Sequence, residues 1–475
     1  MKAHTIIWFR KDLRLIDNPA LYHATQNTDV LAIYILDEQH QDFKMGAASR
    51  WWLHHSLTAL NKQLDNKLNV YHGSAVEIIQ QLIKRYTIQN VYWNICYEPA
   101  YIKNDALVIS ALEKKGISCQ TFNGSLLWDP AAIKTKDNTT YKIFTPFYKN
   151  GCLGITPRKP FPTAKKVTFI RDTQSIIIRG LPLLENSTQK TWSTSGWVPG
   201  EEGAHKKFNH FIRHGLQQYQ EGRNFPAQAS VSRLSPHIHF GEISPHYIWE
   251  YMHQKVHAPI EQKEIAYFLR ELAWREFSYY VLYHFPELPR ENFQKKFDAF
   301  AWNTDMRLLQ AWQAGATGYP LVDAGMRELQ QTGYMHNRIR MVVGSFLVKN
   351  LLLHWHHGAA WFWDSLFDAD LANNSANWQW VAGSGADAAP YFRIFNPITQ
   401  GTKFDPSGDY TRHFVPELKR LPNKYLFKPW QAPGNLLQEI GITLGKTYPY
   451  PIVDVALSRQ KALTTFKKLS QHTHT

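Results

Sequence analysis

Thr5-Ile6-Ile7-Trp8-Phe9 followed by Arg10-Lys11-Asp12-Leu13-Arg14 is the stretch on which the reading of the fold turns. Five apolar or β-branched residues end abruptly in a run of charge. A run this short and this uniformly apolar reads as a strand buried on both faces, as in a parallel sheet. Four similar runs follow at 30–36, 68–72, 90–95 and 118–122. Each gap holds a helical pattern. Asn18-Pro19 supplies an N-cap acceptor with proline at the first helical position, and 49–64, 75–86 and 105–115 repeat apolar residues at three- and four-residue spacing. Strand and helix in alternation predict an α/β domain of Rossmann-like form, whose ligands bind at the carboxyl ends of the strands. No GxGxxG follows the first strand, so a standard dinucleotide fingerprint is absent.

The pattern then changes. Between 131 and 200 the periodicity fails and Thr156-Pro157-Arg158-Lys159-Pro160 is typical of the composition, which predicts a connection between domains. From 201 onward strand signals vanish, and helical runs rich in Trp, Tyr, Leu, His and Arg predict a large all-α domain over 201–475. The first domain accordingly spans 1–130. A chain of 475 residues is beyond the size at which one core stops growing, so two domains agree with its length.

A formal net charge of +14 attracts polyanions, because each Lys or Arg set against a phosphate releases counterions. Cys96, Cys119 and Cys152 are odd in number and without metal-ligand spacing, which points to a reducing, cytoplasmic setting. Met1-Lys2-Ala3-His4-Thr5 lacks a signal-peptide pattern. The most apolar stretch, 341–355, carries Lys349 and Asn350 and is too short to span a bilayer; it reads as one apolar helix ending at Trp355. Seventeen tryptophans are unusual for this length, and most are expected to be core or packing residues. Indoles also stack on bases and carry electron holes.

Three later segments mix aromatic, cationic and acceptor groups. In Arg270-Glu271-Leu272-Ala273-Trp274-Arg275-Glu276-Phe277, spacing puts Glu271, Trp274 and Arg275 on one helix face. In Met335-His336-Asn337-Arg338-Ile339-Arg340-Met341, Asn337 and Met341 share a face from which Arg340 points away. The third, Asp368 to Trp380, reads as a turn-rich stretch dense in acceptors. His237-x-His239 has no third ligand, and no metal is expected.

Taken in order, these segments resemble the DNA photolyase and cryptochrome family. Trp8 to Arg14 with Asp17-Asn18, Ser232-Arg233-Leu234-Ser235-Pro236, Glu271 to Phe277, His336 to Met341, Asp370 to Trp380, Tyr391-Phe392-Arg393-Ile394-Phe395-Asn396-Pro397 and Lys403-Phe404-Asp405 carry the likeness across nearly the whole chain. The pattern is most like that of a bacterial class I cyclobutane pyrimidine dimer photolyase. The resemblance implies light-driven repair of such dimers in DNA by electron transfer from excited reduced FAD. Cryptochrome photoreceptors and (6-4) photolyases are the alternatives. A (6-4) enzyme would carry two histidines four apart where this chain has Asn337 and Met341.

By that resemblance FAD is held by Tyr219, Ser232, Arg233, Leu234, Ser235, Arg340, Asp368, Asp370 and Asn374. Tyr219 and the 232–235 stretch serve its phosphates. Val231 replaces the usual threonine there. Asn374 faces the flavin N5, Asp370 meets the pyrimidine edge, and Arg340 pairs with Asp368. Glu271, Asn337 and Met341 act on the dimer. Trp274, Arg275, Arg338, Trp380, Arg393 and Lys403 meet the DNA, with Trp274 and Trp380 stacking on the flipped lesion. Trp378, Trp355 and Trp302 relay electrons. A second antenna chromophore, folate or deazaflavin, is also implied, although Tyr97-Glu98-Pro99 lacks the Asn-Glu pair of known folate binders. The protein is expected to act as a monomer, without a membrane.

Overall fold

The computed structural model describes residues 5–26, 29–39, 43–162, 167–184, 192, 196–254 and 259–471. They form two compact units: Met1–Arg213 with Ser232–Pro286 and Phe367–Ala372, and His214–Val231 with Glu287–Leu366 and Asn373–Thr475.

Five parallel strands make the sheet of the first unit, in the order β3-β2-β1-β4-β5. β1 (Thr5–Phe9) and β2 (Val30–Leu36) are buried at every position, which explains their unbroken apolar sequence. β3 (Asn69–His72), β4 (Asn90–Asn94) and β5 (Ser118–Phe122) lie within a residue of the expected bounds. The helices between them are α1 (Pro19–Ala24), α2 (Ala47–Gln63), α3 (Ala75–Arg85) and α4 (Pro99–Glu113). Asn18 caps α1 by accepting from Leu21 N at 3.1 Å. Around β1 the order reverses direction, so the loops after β1 and β4 diverge and leave a crevice at the strand ends.

The stretch between 131 and 200 contributes to this unit. Ile176 bridges Val70 of β3. Asp172 accepts from Tyr71 Oη at 2.7 Å and from Arg85 at 2.5 Å. The charge run after β1 is also inside: Arg10, Asp12 and Arg14 are at most 5 % exposed. Such burial is tolerable only with partners. Arg10 pairs with Asp105 at 2.5 Å, and Arg14 donates to the carbonyls of Asp17, Gly124 and Gly241.

Among the described residues of the second unit, the regular elements are all helices, apart from isolated bridges. Two expectations are corrected there. The 341–355 stretch is not one helix: Asn337–Ser345 passes into a π-helical turn, Phe346–Asn350, and a separate helix, Trp355–Ser365, begins where the first was expected to end. Two local features explain the break. Leu352 sits in the left-handed region at φ 56°, which a helix cannot include, and His354 Nδ1 caps the new helix by accepting from His356 N at 3.2 Å. The acceptor-rich stretch before Trp380 is likewise not a set of turns but mostly a helix, Leu371–Ala382. Its asparagines bond to helix carbonyls, Asn377 to Asn373 O at 2.7 Å and Asn374 to Ala359 O at 3.0 Å, so their turn preference is overridden.

Within the helix Pro320–Thr332, two buried carboxylates fix neighbouring loops. Asp323 accepts from Thr317 N at 2.7 Å, Thr317 Oγ1 at 2.6 Å, Gly318 N at 3.1 Å and Tyr448 Oη at 2.6 Å. Glu328 accepts from Tyr410 Oη at 2.7 Å and His336 N at 3.2 Å, which sets the start of the Asn337–Ser345 helix. Asp323→Ala leaves four buried donors without their acceptor, each worth about 1–3 kcal/mol when orphaned. Denaturant unfolding of this variant is expected to show a loss of more than about 3 kcal/mol; a change within half a kilocalorie would mean that water replaces the carboxylate freely.

Candidate functional site

In the first unit the expected site residues gather around Asp370. Its carboxylate accepts from Tyr279 Oη, whose residue belongs to the helix Pro259–His284, and lies 3.6 Å from His239 Nδ1. Burial alone would raise this carboxyl, but His239, Lys11 and Arg275 together hold it well below the usual carboxylate range. It is a buried anion at neutral pH. Two residues away in sequence, Asp368 accepts from Ser235 Oγ at 2.5 Å. Ser235 opens the helix Ser235–His239, and Arg233 just before it takes φ 51°, bending the chain so that Ser232 Oγ accepts from Leu234 N at 3.4 Å.

Glu271, Trp274 and Arg275 are all half-buried on the Pro259–His284 helix. Trp274 stacks on Phe144 with ring centroids 3.7 Å apart, which covers one of its faces. Arg275 turns inward. It donates to Ser125 O at 2.9 Å and to Glu276 at 2.8 Å, and lies over the Tyr279 ring, so Nη1 is tied internally. Glu276 also accepts from Leu127 N at 2.7 Å; burial raises its carboxyl to about 7 against the opposing pull of Arg275. His237 and His239 serve different carboxylates: His237 pairs with Glu242 at 2.5 Å, which also accepts from Trp52 Nε1 at 2.9 Å.

The second unit holds the remainder. Asn374 Nδ2 donates to Ala359 O at 3.0 Å. A carbonyl can only accept, so this bond fixes the amide's orientation and leaves Oδ1 as an acceptor. Trp378 is buried against Trp312, Phe362 and the backbone of Gly358. Gly358 is one turn beyond Trp355 on the same helix. Trp355 is 1 % exposed and donates to Asn292 Oδ1 at 2.9 Å, whereas Trp302 is half-buried against Phe300 and His354. Tyr219 is buried at the start of the short helix Tyr219–Gly222, with Arg223 over its ring.

Asn337 is exposed, Met341 half-buried, and Arg340 Nε donates to Met335 O at 2.7 Å. Arg338 lies 4.3 Å over Phe404, donates to Asn224 and reaches Met341 Sδ at 3.8 Å. Lys403 packs over the same Phe404 ring, so these two cations share one aromatic support. Arg393 is exposed; its carbonyl accepts from the buried Lys349 at 2.9 Å. Trp380 is half-buried.

The crevice at the strand ends is lined by Arg10, Lys11, Asp37, Tyr101, Asn104 and Phe240, among others. Lys11 pairs there with Glu98, and Arg10 lies over the Trp8 and Tyr101 rings. Among the described residues, no three His, Cys, Asp or Glu side chains are placed to hold a metal, and no helix is long and apolar enough to cross a membrane. Cys96, Cys119 and Cys152 are free thiols.

Comparison with known proteins agrees with this arrangement. Residues 5–165 match the DNA photolyase family model, and residues 268–468 match the FAD binding domain of DNA photolyase. A deoxyribodipyrimidine photo-lyase of Agrobacterium fabrum is 44% identical over 99% of both chains. Cryptochrome-2 of Arabidopsis thaliana is 37% identical over 97% of this chain and 78% of its own. The crystal structure of a bacterial class III photolyase from Agrobacterium tumefaciens superposes with a TM-score of 0.93 at 43% identity, covering 99% of this chain and 98% of that one. The chain belongs to the DNA photolyase family and carries its FAD-binding domain. The motifs alone suggested class I; this structural neighbour is a class III enzyme.

Several residues that shape the site escape a reading of the sequence. Tyr279, His239 and Lys11 around Asp370, Phe144 behind Trp274, Lys349 behind Arg393 and Gly358 beneath Trp378 act through contacts between distant segments. Lys349 did carry a signal, a lysine inside an apolar run; burial, with Arg393 nearby, lowers its ammonium to about 7.

Gly358 gives a direct test. A Cβ there would lie 2.0 Å from Trp378 Cη2, far inside van der Waals contact. Glycine to alanine in a helix ordinarily stabilises by about 1 kcal/mol, but here overpacking of about 1–3 kcal/mol opposes it. Gly358→Ala is expected to lower the melting temperature and the flavin content of the purified protein. A rise in melting temperature with full flavin would show that Trp378 moves aside at no cost.

Proposed function

We propose that this chain is a deoxyribodipyrimidine photo-lyase, which binds DNA carrying a cyclobutane pyrimidine dimer and splits the dimer under blue light. When bound, FAD would supply the light-driven electron transfer that splits the dimer. The protein supplies binding, orientation and electrostatics. The observation that carries the reading is the buried anion Asp370, held ionised at neutral pH by His239, Lys11 and Arg275. The chemistry of the residues suits FAD: acceptors at Asp370 and Asn374 for ring N–H groups, and the hydroxyls of Tyr219 and Ser232, with backbone donors near Ser235, for its phosphates. An amide opposite N5 also favours the reduced form, where a carboxylate would repel its charge.

Glu271 hydrogen-bonds the dimer in this reading, with Asn337 assisting and Met341 lining the pocket. Photolyases are among the enzymes that flip their target out of the duplex. Trp380, and the face of Trp274 not covered by Phe144, offset that cost by stacking at about 1–3 kcal/mol per base. Arg338, Arg393 and Lys403 meet phosphates, and the net charge of +14 favours the encounter. Arg340 and Asp368 would serve the flavin ring when it is bound. Trp378, Trp355 and Trp302 refill oxidised flavin under light. The crevice lined by Arg10, Lys11 and Tyr101 is the place for the second chromophore, a folate or deazaflavin. The enzyme acts in the cytoplasm as a monomer.

Two substitutions separate repair from mere binding. Glu271→Gln is expected to retain FAD and lesion affinity while lowering the quantum yield of repair in single-turnover flashes; an unchanged yield removes Glu271 from the chemistry. Trp380→Ala is expected to weaken binding to dimer-containing DNA by about 1–3 kcal/mol, with undamaged DNA bound as before. Equal losses on both DNAs would make Trp380 a support of the fold.

A further inference from the structure

His354 occupies an unusual position between two of the relay tryptophans. Its imidazole centroid is 5.1 Å from that of Trp302, edge-on at 69°, and 5.6 Å from that of Trp355, inclined by 29°. One ring therefore touches both indoles. The backbone fixes it there: Leu352 in the left-handed region turns the chain, and the His354 side chain caps the helix that Trp355 opens. We propose that His354 is a positioning residue of the electron relay, a neutral aromatic bridge through which Trp302 refills Trp355. The inference rests on the reading of Trp378, Trp355 and Trp302 as a relay.

Neutrality follows from the cap. His354 Nδ1 accepts from His356 N at 3.2 Å, so its lone pair is engaged and the ring proton belongs on Nε2. A second proton would turn an N–H against an N–H at the positive end of a helix. The groups facing this ring are His356 and His357 on its own helix, Asp298 from the preceding 3-10 turn, and Arg290, Glu291 and Lys295 lining the same cleft as Trp302. Burial first, then His356 and His357, lower the imidazole to about 4 against the opposing pull of Asp298. A cation between two indoles would resist the passage of a positive hole, and a neutral ring does not. Tunnelling through packed π atoms is also faster than across a gap or through solvent.

The electron count closes. One electron leaves Trp378 for the light-excited oxidised flavin, Trp355 refills Trp378, and Trp302 refills Trp355 through His354. The hole on Trp302 is filled by one electron from a thiol in the medium, reached from the cleft that Trp302 lines.

The test compares three variants of the FAD-loaded full chain under blue light with dithiothreitol, together with histidine-labelled protein in the dark. His354→Leu fills the space without a π system and is expected to slow photoreduction roughly tenfold, equivalent to about 1.4 kcal/mol on the barrier. His354→Phe is expected to rescue most of that loss, since a ring again lies between the indoles. Nitrogen-15 spectra at neutral pH are expected to show the His354 ring neutral with its proton on Nε2. Trp302→Phe must also photoreduce slowly. Normal photoreduction in Trp302→Phe overturns the relay itself, whereas slow Trp302→Phe with normal His354→Leu overturns only the role of His354. A ring protonated at neutral pH, or His354→Phe as slow as His354→Leu, also overturns it.

Discussion

An anion can be buried in a protein only where partners replace the water it has lost, and Asp370 is buried with three segments of the first unit brought to it. Tyr279 comes from the Pro259–His284 helix, His239 from the turn after the 232–235 stretch, and Lys11 from the loop that ends β1. Removing any one of them would leave a charge underpaid in a low dielectric. The requirement thus ties the first strand of the sheet to the residues proposed to hold the flavin. It also accounts for the charged run after β1, which is interior and paired, and not a solvated face.

The second unit depends on close packing in place of charge. Trp378 lies on a glycine, Trp355 is held by Asn292 through its indole N–H, and His354 reaches Trp302 from the break between two helices. Electron transfer between indoles is sensitive to distance, so a rigid seat for each ring matters more than the volume it fills. Asn292 is itself fixed by Asp298 at 2.8 Å, which makes the seat of Trp355 a chain of directed bonds. In the proposed function, repair and photoreduction call on different residues, Glu271 and Trp380 for the lesion and Trp302 and His354 for the supply of electrons.

Much of the fold was legible because its signals are local. Strands buried on both faces must be apolar throughout, and β1 and β2 announce themselves in that way. The Asn18-Pro19 helix start is equally local. The errors fell where tertiary contacts override local preference. Leu371–Ala382 is helical despite its asparagines, and the 341–355 run breaks although its hydrophobicity is continuous. Arg275 illustrates the limit for the site: its spacing from Glu271 suggested a shared face, but only the fold shows Ser125 O and Glu276 waiting for its guanidinium. Gly358 and His354 carry no motif at all.

The central claim is that this chain splits pyrimidine dimers with light, and not that it merely binds flavin and DNA. The direct measurement takes purified protein with its flavin chemically reduced, adds an oligonucleotide bearing one defined thymine dimer, and follows the oligonucleotide by chromatography in blue light and in darkness. The account predicts conversion to the intact sequence over many turnovers, in light only. Tight flavin and lesion binding without conversion in light would contradict it and favour a photoreceptor.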